Sequence, residues 1–112
     1  MRRHTQKTGV ILAALGALWS GMVCADIPAS RQTELMHLLD QDCGSCHGLT
    51  RNGGLGPALT KEALTGKPVV MLREVILHGR PGTPMPPWKS FLNEQEADWL
   101  VQVLIEGKTN AR

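Results

Sequence analysis

The five residues Cys43-Gly44-Ser45-Cys46-His47 restrict this chain more than any other feature. Two thiols two residues apart, followed at once by an imidazole, form the attachment sequence of c-type haem. The thiols can add to the two vinyl groups along one edge of a porphyrin, and the adjacent imidazole then reaches the iron from one face. Gly44 and Ser45 keep the turn between the thiols small. Other uses of two close cysteines find no support elsewhere in the chain. A zinc site wants further ligands, and no second Cys or Cys/His pair stands at the usual spacing. A thioredoxin-like pair belongs in a βαβ context, and no stretch shows sustained period-two alternation. A structural disulfide closes poorly across so short a loop and leaves His47 without a role.

The chain has 112 residues, room for one modest domain. Its start reads as an export signal: Arg2, Arg3 and Lys7 precede an apolar run from Val10 to Trp19, and Val23-Cys24-Ala25 offers small residues for cleavage. The run is shorter than the ~20 residues that span a bilayer, so a cleaved signal over 1–25 is expected rather than a retained anchor. Val23 stands where lipoprotein signals carry a small residue, which disfavours a lipid on Cys24. Removing 25 of 112 residues leaves 87, so one domain over 26–112 is expected, in the periplasm and without stable membrane insertion.

Cleavage changes the charge argument. The full chain has 12 basic and 10 acidic residues, and losing Arg2, Arg3 and Lys7 leaves nine against ten. The apparent basicity belonged to the signal, so a nucleic-acid partner loses its main support. Cleavage also leaves two cysteines, both in the motif, and three aromatic residues, Trp88, Phe91 and Trp99. A domain this small has a marginal core of its own. A large flat apolar cofactor would fill volume that aromatic side chains otherwise provide.

Helical signals dominate residues 26–112. Ser30 reads as an N-cap, and Leu35, Leu38, Leu39 and Cys43 share one helical face that leads to the cysteines. Gly48 to Thr60 is rich in glycine and reads as a loop. Pro68 suits a first helical turn, and Val69, Leu72, Val75 and Ile76 give an apolar face ended by Gly79, predicting a helix over 68–78. Asn93 with Glu96 forms a capping box, Ala97, Leu100, Val101 and Leu104 repeat at helical spacing, and Gly107 ends the run. The expected fold is all-α: three main helices plus short helical turns and loops around one haem.

The second axial position separates a carrier from a catalytic haem. Met85 is the leading candidate, since its thioether is a soft neutral ligand that favours ferrous iron, and Pro84, Pro86 and Pro87 brace it. His78 and His37 are rivals. His78 ends a helix and could instead cap carbonyls or meet a propionate, and His37 could face solvent. Met36 and Met71 lie within helical patterns and read as core. An axial imidazole gives its other N–H to a fixed acceptor, and the Gly56-Pro57 loop is placed to supply a carbonyl. Arg73, Arg80 and Trp88 are candidate propionate partners.

In this order, the motif, the Gly-Pro loop, the braced methionine and the capped final helix resemble the small single-haem cytochromes c, over essentially all of 26–112. Cys43 to Leu55 (CGSCHGLTRNGGL) and His78 to Trp88 (HGRPGTPMPPW) are similar to the cytochrome c55X group within that family. The resemblance implies covalent haem c on Cys43 and Cys46, axial ligation by His47 and Met85, and the Pro57 carbonyl as the acceptor for His47. It also implies a periplasmic one-electron carrier that is not an enzyme, working with redox proteins and above all with cytochrome cd1 nitrite reductase in denitrification. A haem d1 maturation or assembly role beside that reductase, or general respiratory carriage, are the alternatives. Relatives often cross their first and last helices through a small residue packed on an aromatic; the first helix here has no glycine, whereas Trp99 is present in the last.

An open-iron enzyme or gas sensor has less support, because no distal acid/base constellation accompanies Met85 and the domain has little room for a shielded pocket. A monomer is expected. Residues 48–91 hold six basic and two acidic side chains, so the loops near the haem edge are expected to offer a positive face to an acidic partner.

Overall fold

The computed structural model describes residues 26–109; the expected signal, 1–25, lies outside them. The first helix, α1 (Ala29–Leu38), continues through a π-helical turn (Leu39–Cys43) into the single turn α2 (Gly44–His47). One near-continuous helical path therefore leads into the motif, as the leucine spacing predicts. Ser30 is not the cap. Pro28 holds that position without a side-chain bond, and its carbonyl accepts from the Gln32 N–H at 2.9 Å, which puts Ser30 inside the first turn. The wider π turn shifts the angular register between α1 and the motif. Leu39 stays buried there while Cys43 is half-buried against the core.

A short helix, α3 (Lys61–Leu64), comes after the loop. Thr60 caps it by accepting from the Ala63 N–H at 3.3 Å, and Leu64 buries its one large side chain. Next comes α4 (Val69–His78), with Pro68 at the N-cap rather than in the first turn and Gly79 as its stop. The last helix, α5 (Glu94–Glu106), has the predicted capping box: Asn93 Oδ1 accepts from the Glu96 N–H at 2.9 Å, and Glu96 Oε2 accepts from the Asn93 N–H at 3.0 Å. Gly107 closes it in the left-handed conformation.

All the helices of the core meet at α5, which packs on α4 most extensively and also on α1 and α3. Leu35, Leu39, Leu77, Ala97, Leu100 and Leu104 form the buried centre. Each fully buried leucine contributes about 1.5–3 kcal/mol. Leu35 of α1 and the small Ala97 of α5 are both fully buried in this core, and Trp99 packs at its margin. Arg31 Nε donates to Glu96 Oε1 at 2.6 Å and ties the two helices together. Met36 is half-buried against this core, but Met71 is exposed and not part of it. Among the described residues there is no strand, and no helix is long and apolar enough to cross a membrane.

Candidate functional site

Cys43 ends the π turn, and Cys46 and His47 lie on α2, so the helical path from α1 delivers both thiols and the imidazole together. Both thiols are free and half-buried. Burial, reinforced by the neighbouring charge of Asp42, pushes the Cys43 thiol up to about 11. It is therefore protonated at neutral pH and slow to enter disulfide exchange.

The loop after the motif wraps back over His47. The Gly53 N–H donates to the His47 carbonyl and the Gly56 N–H to the Cys46 carbonyl, both at 2.8 Å. This brings the Pro57 carbonyl to 2.7 Å from His47 Nδ1. A carbonyl can only accept, so Nδ1 carries the proton, and in the neutral ring the lone pair is then on Nε2. The approach is close enough to require glycine at position 56, where a Cβ would stand 2.8 Å from both Cε1 and Nδ1 of the ring.

Met85 sits in the proline-rich segment after α4. Its carbonyl accepts from the Arg80 N–H at 3.2 Å, while Trp88 and Lys89 donate to the Ile76 and Leu77 carbonyls at 3.0 and 3.1 Å. Those two bonds satisfy carbonyls left open at the end of α4. They also tie the far end of the segment back to the end of α4, and the half-buried Met85 lies within the loop so closed.

The rival histidines lie at the end of α4 and on α1. His78 is 53% exposed at its side chain, with Nε2 3.3 Å from Glu74 Oε2, and His37 is exposed on α1. Of the other polar candidates, Arg73 is engaged with Asp98 and Glu74, whose carboxylates hold its guanidinium above the ordinary arginine range. Trp88 is half-buried, with its ring 5.9 Å from that of Phe91, and Arg80 is exposed.

Sequence reasoning passed over Arg51. It is 8% exposed in the loop, pairs with Asp40 at 2.9 Å and donates to the Lys108 carbonyl. Its only sequence signal was an arginine amid glycines. Its partners lie 11 and 57 positions away.

The residues fit a covalently held porphyrin. Two free thiols and one imidazole with an open Nε2 lie together, and a methionine stands in a braced segment. Large apolar side chains remain uncovered: Leu49 beside the motif, Leu55 at 91% in the loop after it, and Val70 at the start of α4. Uncovered apolar surface of this kind is what a flat apolar macrocycle would bury.

Comparison with known proteins agrees. Residues 30–103 match the family described as cytochrome c oxidase, cbb3-type, subunit III. A cytochrome c55X of Pseudomonas aeruginosa is 64% identical over 80 residues, covering 71% of this chain and 67% of that protein. The solved structure of a c-type cytochrome NirC superposes with a TM-score of 0.72 at 61% identity, covering 73% of this chain and 96% of that one. A dihydro-haem d1 dehydrogenase of Pseudomonas aeruginosa is 45% identical over 69 residues, 62% of this chain and 14% of that much longer protein.

Proposed function

The chain belongs to the small c-type cytochromes, alongside the cytochromes c55X, and from that membership we propose that it is an exported one-electron carrier with one covalent haem c. Cys43 and Cys46 carry the thioether links, each S–H adding across a vinyl group so that sulfur takes one carbon and hydrogen the other. His47 and Met85 would hold the iron. When bound, the haem iron supplies a ferric/ferrous couple. The observation that carries this reading is the 2.7 Å contact of His47 Nδ1 with the Pro57 carbonyl, which leaves Nε2 as the nitrogen available to a metal and orients the ring for it.

The remaining residues hold the ligands still. His47 is fixed by the loop, and Met85 by the bond from the Arg80 N–H to its carbonyl and by the bonds that tie Trp88 and Lys89 back to α4, so neither needs to move as the electron comes and goes. A neutral thioether and an imidazole as the two protein donors would favour the ferrous state and a raised potential. Residues 1–25 direct export and are removed, and the carrier works in the periplasm as a monomer. Its electrons go to cytochrome cd1 nitrite reductase in denitrification.

A second reading comes from the dihydro-haem d1 dehydrogenase relative. That protein is named for removing electrons from dihydro-haem d1, and a stretch of it resembles this chain. A free-standing domain of the same kind would suit accepting electrons during haem d1 maturation.

Mixing the reduced protein with carbon monoxide tests the ligation. The unmutated protein should bind slowly and Met85→Ala rapidly; rapid binding by the unmutated protein rules out Met85. Mixing the reduced protein with cytochrome cd1 nitrite reductase and nitrite tests the partner. Fast reoxidation supports delivery to the reductase, whereas none favours the maturation role.

A further inference from the structure

We propose that Arg51 is a positioning residue that sets the hydrogen bond between Pro57 and His47, and through it the reduction potential; this rests on the haem reading above. Arg51 has a φ of +62° and is the one non-glycine residue with positive φ among the described residues. Such a conformation persists only where the surroundings over-determine it. Here they do so from three sides. Nη2 donates to Asp40 Oδ1 at 2.9 Å on the π turn before the motif, and Nη1 donates to the Lys108 carbonyl just past the end of α5. The backbone of Arg51 donates to the Gly48 carbonyl and accepts from the Leu59 N–H, both at 2.8 Å.

The last of these bonds links Arg51 to His47. Leu59 lies two residues beyond Pro57, so the chain that presents the Pro57 carbonyl is held on one side by the Arg51 carbonyl. On the other side it is held by the Gly56 N–H on the Cys46 carbonyl. The guanidinium is nearly buried, and a buried charge needs its partners, so Asp40 and Lys108 fix the place of Arg51 rather than merely decorating it. A firm acceptor on Nδ1–H strengthens Nε2 as a donor, favours ferric iron and lowers the potential. Loosening Arg51 weakens that acceptor and raises the potential.

The test uses the intact haem protein with Arg51→Gln, Arg51→Lys and Arg51→Gly. Two quantities are read: the reduction potential, and the solvent-exchange rate of the His47 Nδ1 proton by NMR in the reduced state. Arg51→Gln and Arg51→Gly should exchange about tenfold faster or more and show a more positive potential. Arg51→Gly should do so although glycine accepts a positive φ freely, which separates the side chain from backbone strain. Arg51→Lys, which keeps the charge toward Asp40 and loses the fork, should fall between. If Arg51→Gln fails to accumulate, Asp40→Asn removes one anchor with the arginine in place and should shift both quantities the same way by less. Variants that melt earlier but keep the unmutated exchange rate and potential would overturn the proposal while leaving the haem reading intact. Absence of haem ligated by His47 in the unmutated protein would overturn both.

Discussion

Gly79 lies so close to Met85 that a Cβ added at position 79 would stand 2.6 Å from the Met85 carbonyl oxygen. Gly79 also has a φ of +67°. Both facts tie the end of α4 to the methionine segment. Gly79→Ala is expected to push that segment away and to add about 1–2 kcal/mol of backbone strain. The Met-to-iron charge-transfer absorption should weaken, and carbon monoxide binding should accelerate toward the rate of Met85→Ala. A variant with unmutated absorption and slow binding would show that the segment tolerates the displacement.

Gly56→Ala is the corresponding test at His47, the other proposed ligand. The added methyl would meet the His47 ring at 2.8 Å, and flexible side-chain ends cannot absorb the clash because the ring is bonded to Pro57. The expected result is a lower yield of covalent haem and a shifted potential, with carbon monoxide binding still slow because Met85 is untouched. Pigment per polypeptide and redox titration would measure this.

Elements decided by local chemistry are legible in the amino-acid order alone. The Asn93 capping box, the Gly107 stop and the leucines between them lie within α5 and its two caps, and the observed helix agrees with them. The cysteine-histidine motif and the proline brace are equally local. What the order of residues hides depends on distant partners. In α4 apolar residues occur nearly all round, so periodicity could not say that Leu77 enters the core while Val70 and Met71 stay exposed. Arg51 looked like a solvated loop residue because Asp40 and Lys108 come to it only when the chain folds.

The pair Arg31–Glu96 gives a pH dependence whose sign can be worked out. Arg31 donates at 2.6 Å and, with the Asn93 N–H, holds the Glu96 carboxyl below its ordinary value of 4.5. The ionised form therefore favours the folded chain. Its contribution is complete above the ordinary value and is lost as pH falls through the depressed folded value. Both side chains keep some solvent contact, so screening keeps the contribution of the charge small. Glu96→Gln can still reach back to the Asn93 N–H, which isolates the charge from the cap. Thermal unfolding of the variant should fall below the parent at pH 7 by a gap that narrows as the pH is lowered through the acid range; an equal gap throughout would assign the loss to packing instead.

Charge near the methionine segment leads to a prediction about docking. Of the six basic residues between 48 and 91, Arg51 and Arg73 are engaged by Asp40, Asp98 and Glu74. The positive face is therefore smaller than the sequence sum implies and rests on Lys61, Lys67, Arg80 and Lys89, all exposed. Arg80 and Lys89 bracket Met85 in sequence, so they are the charges an acidic partner should meet on approaching that segment. Reversing both, as Arg80→Glu with Lys89→Glu, should slow second-order electron transfer to an acidic redox partner about tenfold at low ionic strength. At about 1 M salt, where screening acts within ~3 Å, the variant and the parent should converge. Stopped-flow rates across a salt series would measure both effects. Rates that stay flat for the parent would mean that the four charges take no part in docking, and that apolar contact around Phe91 and the methionine segment governs the encounter instead.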